Sequence, residues 1–163
     1  MSEKTAILPN VNHLAGYLHS LKPDISPIKL QKSLYFLYAY HGAFYNQRPT
    51  ETISEGTLSN NVELFKADFE AWKYGPVIRE VYFKKKNNEY NDGNKISEAI
   101  GEIEKYPEVK KFIDDLFNQL DSVSDFALVD RSHMDDSWKT AYQKGEVMNK
   151  DFLLKEYTEK YVH

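Results

Sequence analysis

Apolar residues recur at intervals of three and four over much of this chain, which predicts a mainly helical protein. Asn10 can cap a first helix that extends to about Leu21, where the segment Lys22-Pro23-Asp24 ends it. In the second half of the chain the same spacing predicts four further helices: residues 107–120, 126–131, 138–144 and 149–161. The candidate caps of the last three are Ser124 or Asp125, Asp135 or Asp136, and Asn149.

A second helix is predicted from Ser26, as N-cap, and Pro27, at the first helical position, to Tyr45. Apolar and aromatic residues cover most of its circumference between Leu34 and Tyr40, and a helix that is apolar all round is a buried one. The first turn and a half differs because it is polar. We expect its polar residues to leave the core and to be exposed: Lys29, Gln31 and Lys32.

The segment after this helix has no helical periodicity. Residues 46–61 are polar and predict a loop with a short strand near Glu51–Ile53, and residues 62–72 alternate in a way that suits a small β element. Asn87–Asn94 has the composition of a turn. The predicted fold is therefore a single, compact, mainly α domain with a small β element inserted after the second helix.

The segment Phe69–Phe83 combines an aromatic run, a glycine–proline pair and a helical pattern. Gly75 can adopt an open corner conformation, and Pro76 has a fixed φ that suits the first turn of a helix. We therefore predict a strand-to-helix junction at residues 74–77, with an amphipathic helix beyond it.

The composition narrows the class of protein. The chain has 163 residues, no cysteine and a net charge of −4, with 12 Tyr, 9 Phe and 2 Trp. The absence of cysteine excludes disulfides and thiolate metal sites and favours the cytoplasm. No apolar run approaches the roughly 18 residues of a membrane span. The charge argues against a nucleic-acid partner, whereas aromatic residues are enriched at protein–protein interfaces.

The search for catalytic motifs is mostly negative, because the chain has no glycine-rich phosphate loop, no His-Glu-x-x-His pair and no nucleophile elbow. Its five histidines are scattered, so neither a metal site nor a cofactor is predicted. The run from Ser132 to Asp135 contains a serine, a histidine and an acid, but neighbours on a helix do not face one another, and we interpret it as a polar turn. His41 is interpreted as a hydrogen-bonded core histidine.

Three segments, in order, resemble the Panacea antitoxin domain, which is also called SocA-like and includes phage-associated GepA-type proteins. They are Lys29–His41 (KLQKSLYFLYAYH), Phe69–Tyr82 (FEAWKYGPVIREVY), and Ser132-His133 followed by Trp138–Tyr142 (WKTAY). The order and the spacing match over about residues 10–161. The resemblance implies a mainly α antitoxin, often carried by prophages, that neutralises a neighbouring-gene protein toxin by direct binding.

The chain departs from the family pattern in two places. The connection Asn46–Lys66 is longer than the family's usual link before the tryptophan motif, which suggests a partner-specific feature. Ser137 stands where many relatives carry proline, and this difference touches only a helix start.

These observations give two sets of candidate residues. The candidates for toxin contact, besides the Asn46–Lys66 connection, are Lys29, Gln31, Lys32, Trp72, Tyr74 and Arg79. The residues assigned to the structural motif are Tyr35, His41, Gly75, Pro76, His133 and Trp138. Trp72 and Tyr74 have the alternative of simple burial in the core.

Three further functions stay open at this point. The first is a DNA-binding regulator, for which only the basic stretch Arg79–Lys86 offers a recognition helix. The second is a prophage accessory protein without a toxin partner. The third is an enzyme with a polar pocket around His41 or His133.

Overall fold

The computed structural model of the chain describes residues 5–46 and 62–161, and helices predominate in them. The helices are α1 (Val11–Leu21), α2 (Pro27–Asn46), α3 (Arg79–Lys86), α4 (Gly93–Glu104), α5 (Pro107–Asp121), α6 (Asp125–His133), α7 (Asp136–Lys144) and α8 (Lys150–Tyr161). The strands are β1 (Thr5–Leu8), β2 (Val62–Phe65), β3 (Glu70–Trp72) and β4 (Gly75–Val77). The predicted mainly α fold is confirmed. The strand predicted near Glu51–Ile53 lies outside the described residues.

The central element of the domain is α2, which contacts α1, α3, α5, α6, α8 and the strands β2 and β4. Its middle turns are fully buried, as predicted, and the aromatic rings of Tyr35 and Tyr38 pack edge-on against Phe69 at centroid distances of 5.4 and 5.3 Å. Ser26 caps the helix by accepting a 3.0 Å hydrogen bond from the Lys29 N–H. No helix in the described ranges combines the length and hydrophobicity that a membrane span needs.

The strands form two small sheets. After α2, β2 pairs in parallel with β1, with Thr5 opposite Val62, so the predicted β element is joined by an N-terminal strand that the sequence did not predict. The strands β3 and β4 form an antiparallel hairpin in which Trp72 lies opposite Gly75, with Lys73 and Tyr74 in the turn. This hairpin carries the segment that was predicted as a strand-to-helix junction.

The predicted position of that junction is wrong, because Gly75 and Pro76 belong to a strand and α3 begins only at Arg79. Gly75 has a φ of +107°, a value that residues with a side chain rarely adopt. The backbone beyond it is held extended by hydrogen bonds from α2, which reach the Pro76 carbonyl and both backbone groups of Ile78. These distant partners, and not the local helical preference of proline, fix the conformation here.

The helix α4 was also missed, since its first residues fall in the segment predicted as a turn. Asp92 caps it by accepting a 2.9 Å hydrogen bond from the Asn94 N–H. Its contact with α1 is close, because a Cβ added at Gly16 would lie 3.0 Å from the Cβ of Ala99. The helix buries only Ala99 and Ile103. Its periodic signal is nevertheless present in the sequence and was overlooked, because Ile96, Ala99, Ile100 and Ile103 recur at helical spacing.

Candidate functional site

The start of α2 does not leave the core, so the predicted exposure of its polar residues is wrong. Lys29, Gln31 and Lys32 are only 5%, 4% and 2% exposed. Their polar atoms are hydrogen-bonded to backbone groups of three other elements, and this is the physical reason that such side chains can be buried. This burial does not test their predicted role in toxin contact. It does remove the reason for choosing them, which was their expected exposure.

Lys29 caps the carboxyl end of α5. Its ammonium group donates hydrogen bonds to the carbonyl of Leu120 at 3.3 Å, to that of Asp121 at 3.1 Å, and to that of Val123. The carboxylates of Asp121 and Asp125 lie 3.9 and 3.7 Å from the same Nζ atom. A cation at the carboxyl end of a helix satisfies unpaired carbonyls and complements the helix dipole.

Gln31 and Lys32 hold the hairpin to α2. The Gln31 Oε1 atom accepts a 2.9 Å hydrogen bond from the Ile78 N–H, and its Nε2 group donates a 3.1 Å bond to the Ile78 carbonyl. The Lys32 ammonium donates a 2.9 Å hydrogen bond to the Pro76 carbonyl. No carboxylate of the described residues lies within ion-pair distance of Lys32, and burial lowers its pKa to about 7.

The motif at residues 132–138 also supports the hairpin. The His133 Nε2 atom hydrogen-bonds to the Lys73 carbonyl at 2.8 Å, and the Trp138 indole N–H donates to the Trp72 carbonyl at 3.0 Å. A Cβ added at Gly75 would lie 2.5 Å from the Ser132 Oγ atom. Side chains from α6 and α7 therefore hold the β3 end of the turn.

No catalytic triad is present in this motif. The Ser132 hydroxyl donates to the Val129 carbonyl at 2.8 Å, and His133 is engaged with the hairpin. Asp135 accepts hydrogen bonds from the hydroxyls of Tyr35 and Tyr157 at 2.5 and 2.6 Å, within the core. Burial raises the pKa of Asp135, although these two hydrogen bonds act in the opposite direction.

The start of α7 is capped by a residue that the sequence did not indicate. Asp135 is the N-cap residue but makes no capping hydrogen bond with its side chain. Instead, Glu156 of α8 accepts hydrogen bonds from the backbone N–H groups of Asp136 at 2.6 Å and Ser137 at 3.1 Å. A proline at position 137 would lack the second of these donors.

His41 is buried as predicted, but its predicted hydrogen bond is absent from the described part of the chain. Its ring stacks on Tyr45 at 4.2 Å and meets the edge of Phe112 at 5.4 Å, and neither ring nitrogen has a partner there. Burial lowers its pKa to about 4, so the ring is neutral at neutral pH. These surroundings give no polar pocket for catalysis.

The other three candidates for toxin contact lie at the surface. Trp72 is half-buried, Tyr74 is 53% exposed at the hairpin turn, and Arg79 is exposed at the start of α3. The Arg79 guanidinium makes two 2.9 Å hydrogen bonds to the Glu70 carboxylate and lies 5.7 Å from the centre of the Trp72 ring. This ion pair lowers the pKa of Glu70. The contacts orient the arginine before any partner binds.

These residues define a surface that we call the hairpin face: Trp72, Lys73, Tyr74, Arg79 and Tyr82. The Trp72 and Tyr82 rings meet edge to face, with their centres 5.0 Å apart. At the foot of the face is a pocket of about 180 Å³ that is also lined by Pro27, Ile28, Gln31, Lys32 and Val77. The sequence did not point to this pocket. The only local signal is the i, i+4 spacing of Pro27 with Gln31 and of Ile28 with Lys32, which places the members of each pair on one side of α2.

Other candidate sites receive less support within the described ranges. No group of three or more His, Asp and Glu side chains there could hold a metal ion. In the basic stretch at the end of α3, the Lys84 Nζ atom lies 3.4 Å from Glu89, and that of Lys85 lies 3.0 Å from the His19 ring. Two of the three lysines that end this stretch are therefore engaged with the protein itself, which weakens its case as a DNA-recognition helix.

Comparison with known protein families gives one match. The profile of the SocA-like antitoxin family with a Panacea domain matches residues 57–139, which is about half of the chain. The match includes the hairpin and extends into the 132–138 motif, whereas the α2 segment lies before it. Neither curated proteins nor solved structures gave a match. The resemblance to GepA-type proteins stays a prediction. The chain belongs to the SocA-like antitoxin family and carries its Panacea domain.

Proposed function

We propose that this protein is the antitoxin of a toxin–antitoxin pair and neutralises its toxin in the cytoplasm by direct protein–protein binding, without catalysis. The observation that carries the proposal is the family match, because it covers the segment that forms the hairpin face. The family implies a protein toxin as partner. Chain composition supports the same class, with abundant aromatic residues and a net negative charge.

We place the centre of toxin contact on the hairpin face. Trp, Tyr and Arg are the residues that most often dominate the binding energy of protein interfaces, and all three types are found here. The hairpin is held by hydrogen bonds from side chains of α2, α6 and α7, so little conformational entropy is lost when it binds. A specific complex buries about 1,200–2,000 Å² in total, so contacts beyond this face are also needed.

The roles of the remaining candidates change accordingly. Lys29, Gln31 and Lys32 support the face from beneath, and any effect of their substitution on neutralisation includes an effect on folding. Most of the connection Asn46–Lys66 lies outside the described residues, and its proposed contact with the toxin stays a prediction.

Co-expression tests this function. The product of the adjacent open reading frame is expressed alone and together with this protein, and growth and co-purification are measured. We expect growth arrest by the neighbour alone, recovery on co-expression, and a stable complex of the two proteins. Growth recovery without a complex would contradict direct binding. A neighbour that is harmless to the cell would contradict the toxin–antitoxin pairing itself.

A surface variant locates the contact. The double substitution Tyr74→Ala and Arg79→Ala removes two exposed side chains, and we expect binding to weaken at least about tenfold while the fold is kept. Tyr106→Ala is the matched control, because Tyr106 is 37% exposed at the start of α5, outside the hairpin face. Equal neutralisation by both variants would show that the toxin binds elsewhere.

A further inference from the structure

One wall of the pocket at the foot of the hairpin face is formed by Lys32, whose buried ammonium group has no acidic partner in the described chain. Lys29 and Lys32 lie one helical turn apart on α2, and their surroundings differ. Lys29 meets three carbonyls and two carboxylates, whereas Lys32 donates to the Pro76 carbonyl alone. An ammonium group has three donors, so within the described chain Lys32 keeps capacity for two further hydrogen bonds. Buried charges are ordinarily paired, which makes Lys32 the exception in this pocket.

The size of the pocket limits what it can hold. Its volume of about 180 Å³ corresponds to roughly six water molecules at their share of liquid volume. Pockets for drug-sized ligands and cofactors range from about 300 to 1,000 Å³. The space is therefore suited to one side chain of a partner and is too small for a nucleotide or a similar cofactor.

The walls of the pocket specify the chemistry of that side chain. Pro27, Ile28 and Val77 are apolar, and Trp72 and Tyr82 add aromatic surface. A suitable side chain has an aliphatic stem to pack against these walls and an anionic end for the ammonium. Glutamate has both, because two methylene groups separate its carboxylate from the backbone.

We propose that this pocket receives a glutamate side chain of the protein partner, whose carboxylate accepts hydrogen bonds from the Lys32 ammonium. The proposal rests on the proposed antitoxin function only for the identity of the partner as a toxin. Lys73, which is exposed at the rim with its Nζ atom 5.6 Å from the centre of the Tyr74 ring, adds a second positive charge at the entrance. Because a carboxylate favours the charged form of a neighbouring amine, occupancy raises the pKa of Lys32 from about 7.

The experiment uses two small probes and no toxin. N-acetyl-glutamate N-methylamide and its glutamine counterpart are titrated into the full chain, and the Lys32 Cε–Hε resonance is followed by NMR at pH 6. We expect the glutamate probe to shift this resonance with an affinity at least about tenfold higher than that of the glutamine probe. We also expect the pKa of Lys32 to rise when the glutamate probe is bound.

Two variants establish the position of the site. Lys32→Met removes the ammonium and should abolish the difference between the probes, which is then followed through the Trp72 indole resonance. Lys73→Met removes the charge at the rim and should retain most of the difference. If Lys32→Met does not fold, the paired titrations of the unaltered protein still decide the matter. Equal response to the two probes, or a response that avoids Lys32, would overturn the proposal.

This outcome is independent of neutralisation. A glutamate-selective response in a protein that fails to rescue cells would reject the antitoxin function and keep the pocket. Rescue by direct binding, together with equal response to the two probes, would keep the antitoxin function and reject the pocket.

Discussion

The candidate toxin-contact residues form two groups, one at the start of α2 and one on the hairpin face. Their burial is the reverse of what their polarity predicts. Lys29, Gln31 and Lys32 are polar and buried, whereas Tyr74 is aromatic and 53% exposed. We expected the polar side chains to be exposed because an apolar core does not need them. In the structure the two lysine ammonium groups donate hydrogen bonds to backbone carbonyls, at the end of α5 and in β4.

This difference shows that a polar side chain can be buried when buried backbone groups need it as a hydrogen-bond partner. A buried carbonyl at a helix end, or one that a short hairpin leaves without a cross-strand donor, must find a donor elsewhere, and the cost of leaving it unpaired is about 1–3 kcal/mol. Long side chains from the central helix reach several such groups. The aromatic residues of the turn are then left at the surface, held in place by elements beneath them. Stability should therefore depend on the first group and partner binding on the second.

The largest expected effect is the dependence of protein stability on pH that Lys32 causes. Its pKa is about 7 in the folded protein and near 10.4 in an unfolded chain, so between these values the unfolded state binds more protons and stability rises with pH. Relative to Lys32→Met, the free energy of unfolding of the unaltered protein should increase by about 3 kcal/mol from pH 6 to pH 9. Urea unfolding of both proteins across this range measures the change.

The sign of this effect separates two roles of Lys32. At pH 6 the buried charge is costly, so the methionine variant should equal or exceed the unaltered protein in stability. At pH 9 the neutral amine keeps its hydrogen bond to Pro76 without that cost, and the variant should be the less stable of the two. A difference that does not change with pH would mean that Lys32 is solvated as an ordinary surface lysine.

The next effect concerns Lys29. The substitution Lys29→Met keeps the apolar stem but removes the donors to the carboxyl end of α5, and we expect a loss of about 2–3 kcal/mol at pH 7. Lys111→Met is the control, because Lys111 is an exposed lysine of α5 that pairs with Asp115 at 3.0 Å. Exposed pairs contribute less than about 1 kcal/mol. Similar thermal unfolding of the two variants would contradict the capping role.

Substitution of Gln31 should cause a smaller loss of stability, for the same reason as substitution of Lys29. In Gln31→Met the N–H and the carbonyl of Ile78 lose their partner, and we expect a loss of about 2 kcal/mol. In Gln31→Glu the acceptor is retained and the donor is lost, so this variant tests each half of the contact. Amide hydrogen exchange at Ile78 should accelerate in the methionine variant, and unchanged exchange would show that α2 does not hold this segment.

The same comparison explains how far the sequence could predict the fold. The helices α1, α2 and α5 follow from apolar spacing and from caps such as Asn10 and Ser26, which act within a few residues. The strand at Gly75–Val77 does not. Lys32 binds the Pro76 carbonyl within it and Gln31 binds Ile78 directly after it, each from more than 40 positions away. In β1, Thr5 likewise pairs with Val62, far along the chain. Local patterns carry no record of such partners.

The candidate site likewise has features that the sequence could predict and features that it could not. The sequence identified Trp72, Tyr74 and Arg79 through a family motif and through their type, and the structure brings them together on one face. It could not show that Lys32 has no carboxylate within ion-pair distance in the described chain, because that property depends on every element packed around it. The pocket arises where the first turn of α2 meets the hairpin, two segments that are adjacent only in the folded protein.

The smallest expected effect on stability belongs to the hairpin face itself. Tyr74→Ala removes an exposed ring and should change the free energy of unfolding by less than about 0.5 kcal/mol. Arg79→Ala removes a surface ion pair with Glu70, and its effect on stability should be small because water screens such pairs. Both variants should nevertheless weaken the complex with the toxin, if the toxin binds here, because exposed Tyr and Arg are typical hot-spot residues. Thermal unfolding and binding are measured on the same samples. A large loss of stability in Tyr74→Ala would mean that the turn belongs with α2 as a structural support, and the division between a buried polar support and an exposed aromatic face would fail at its clearest point.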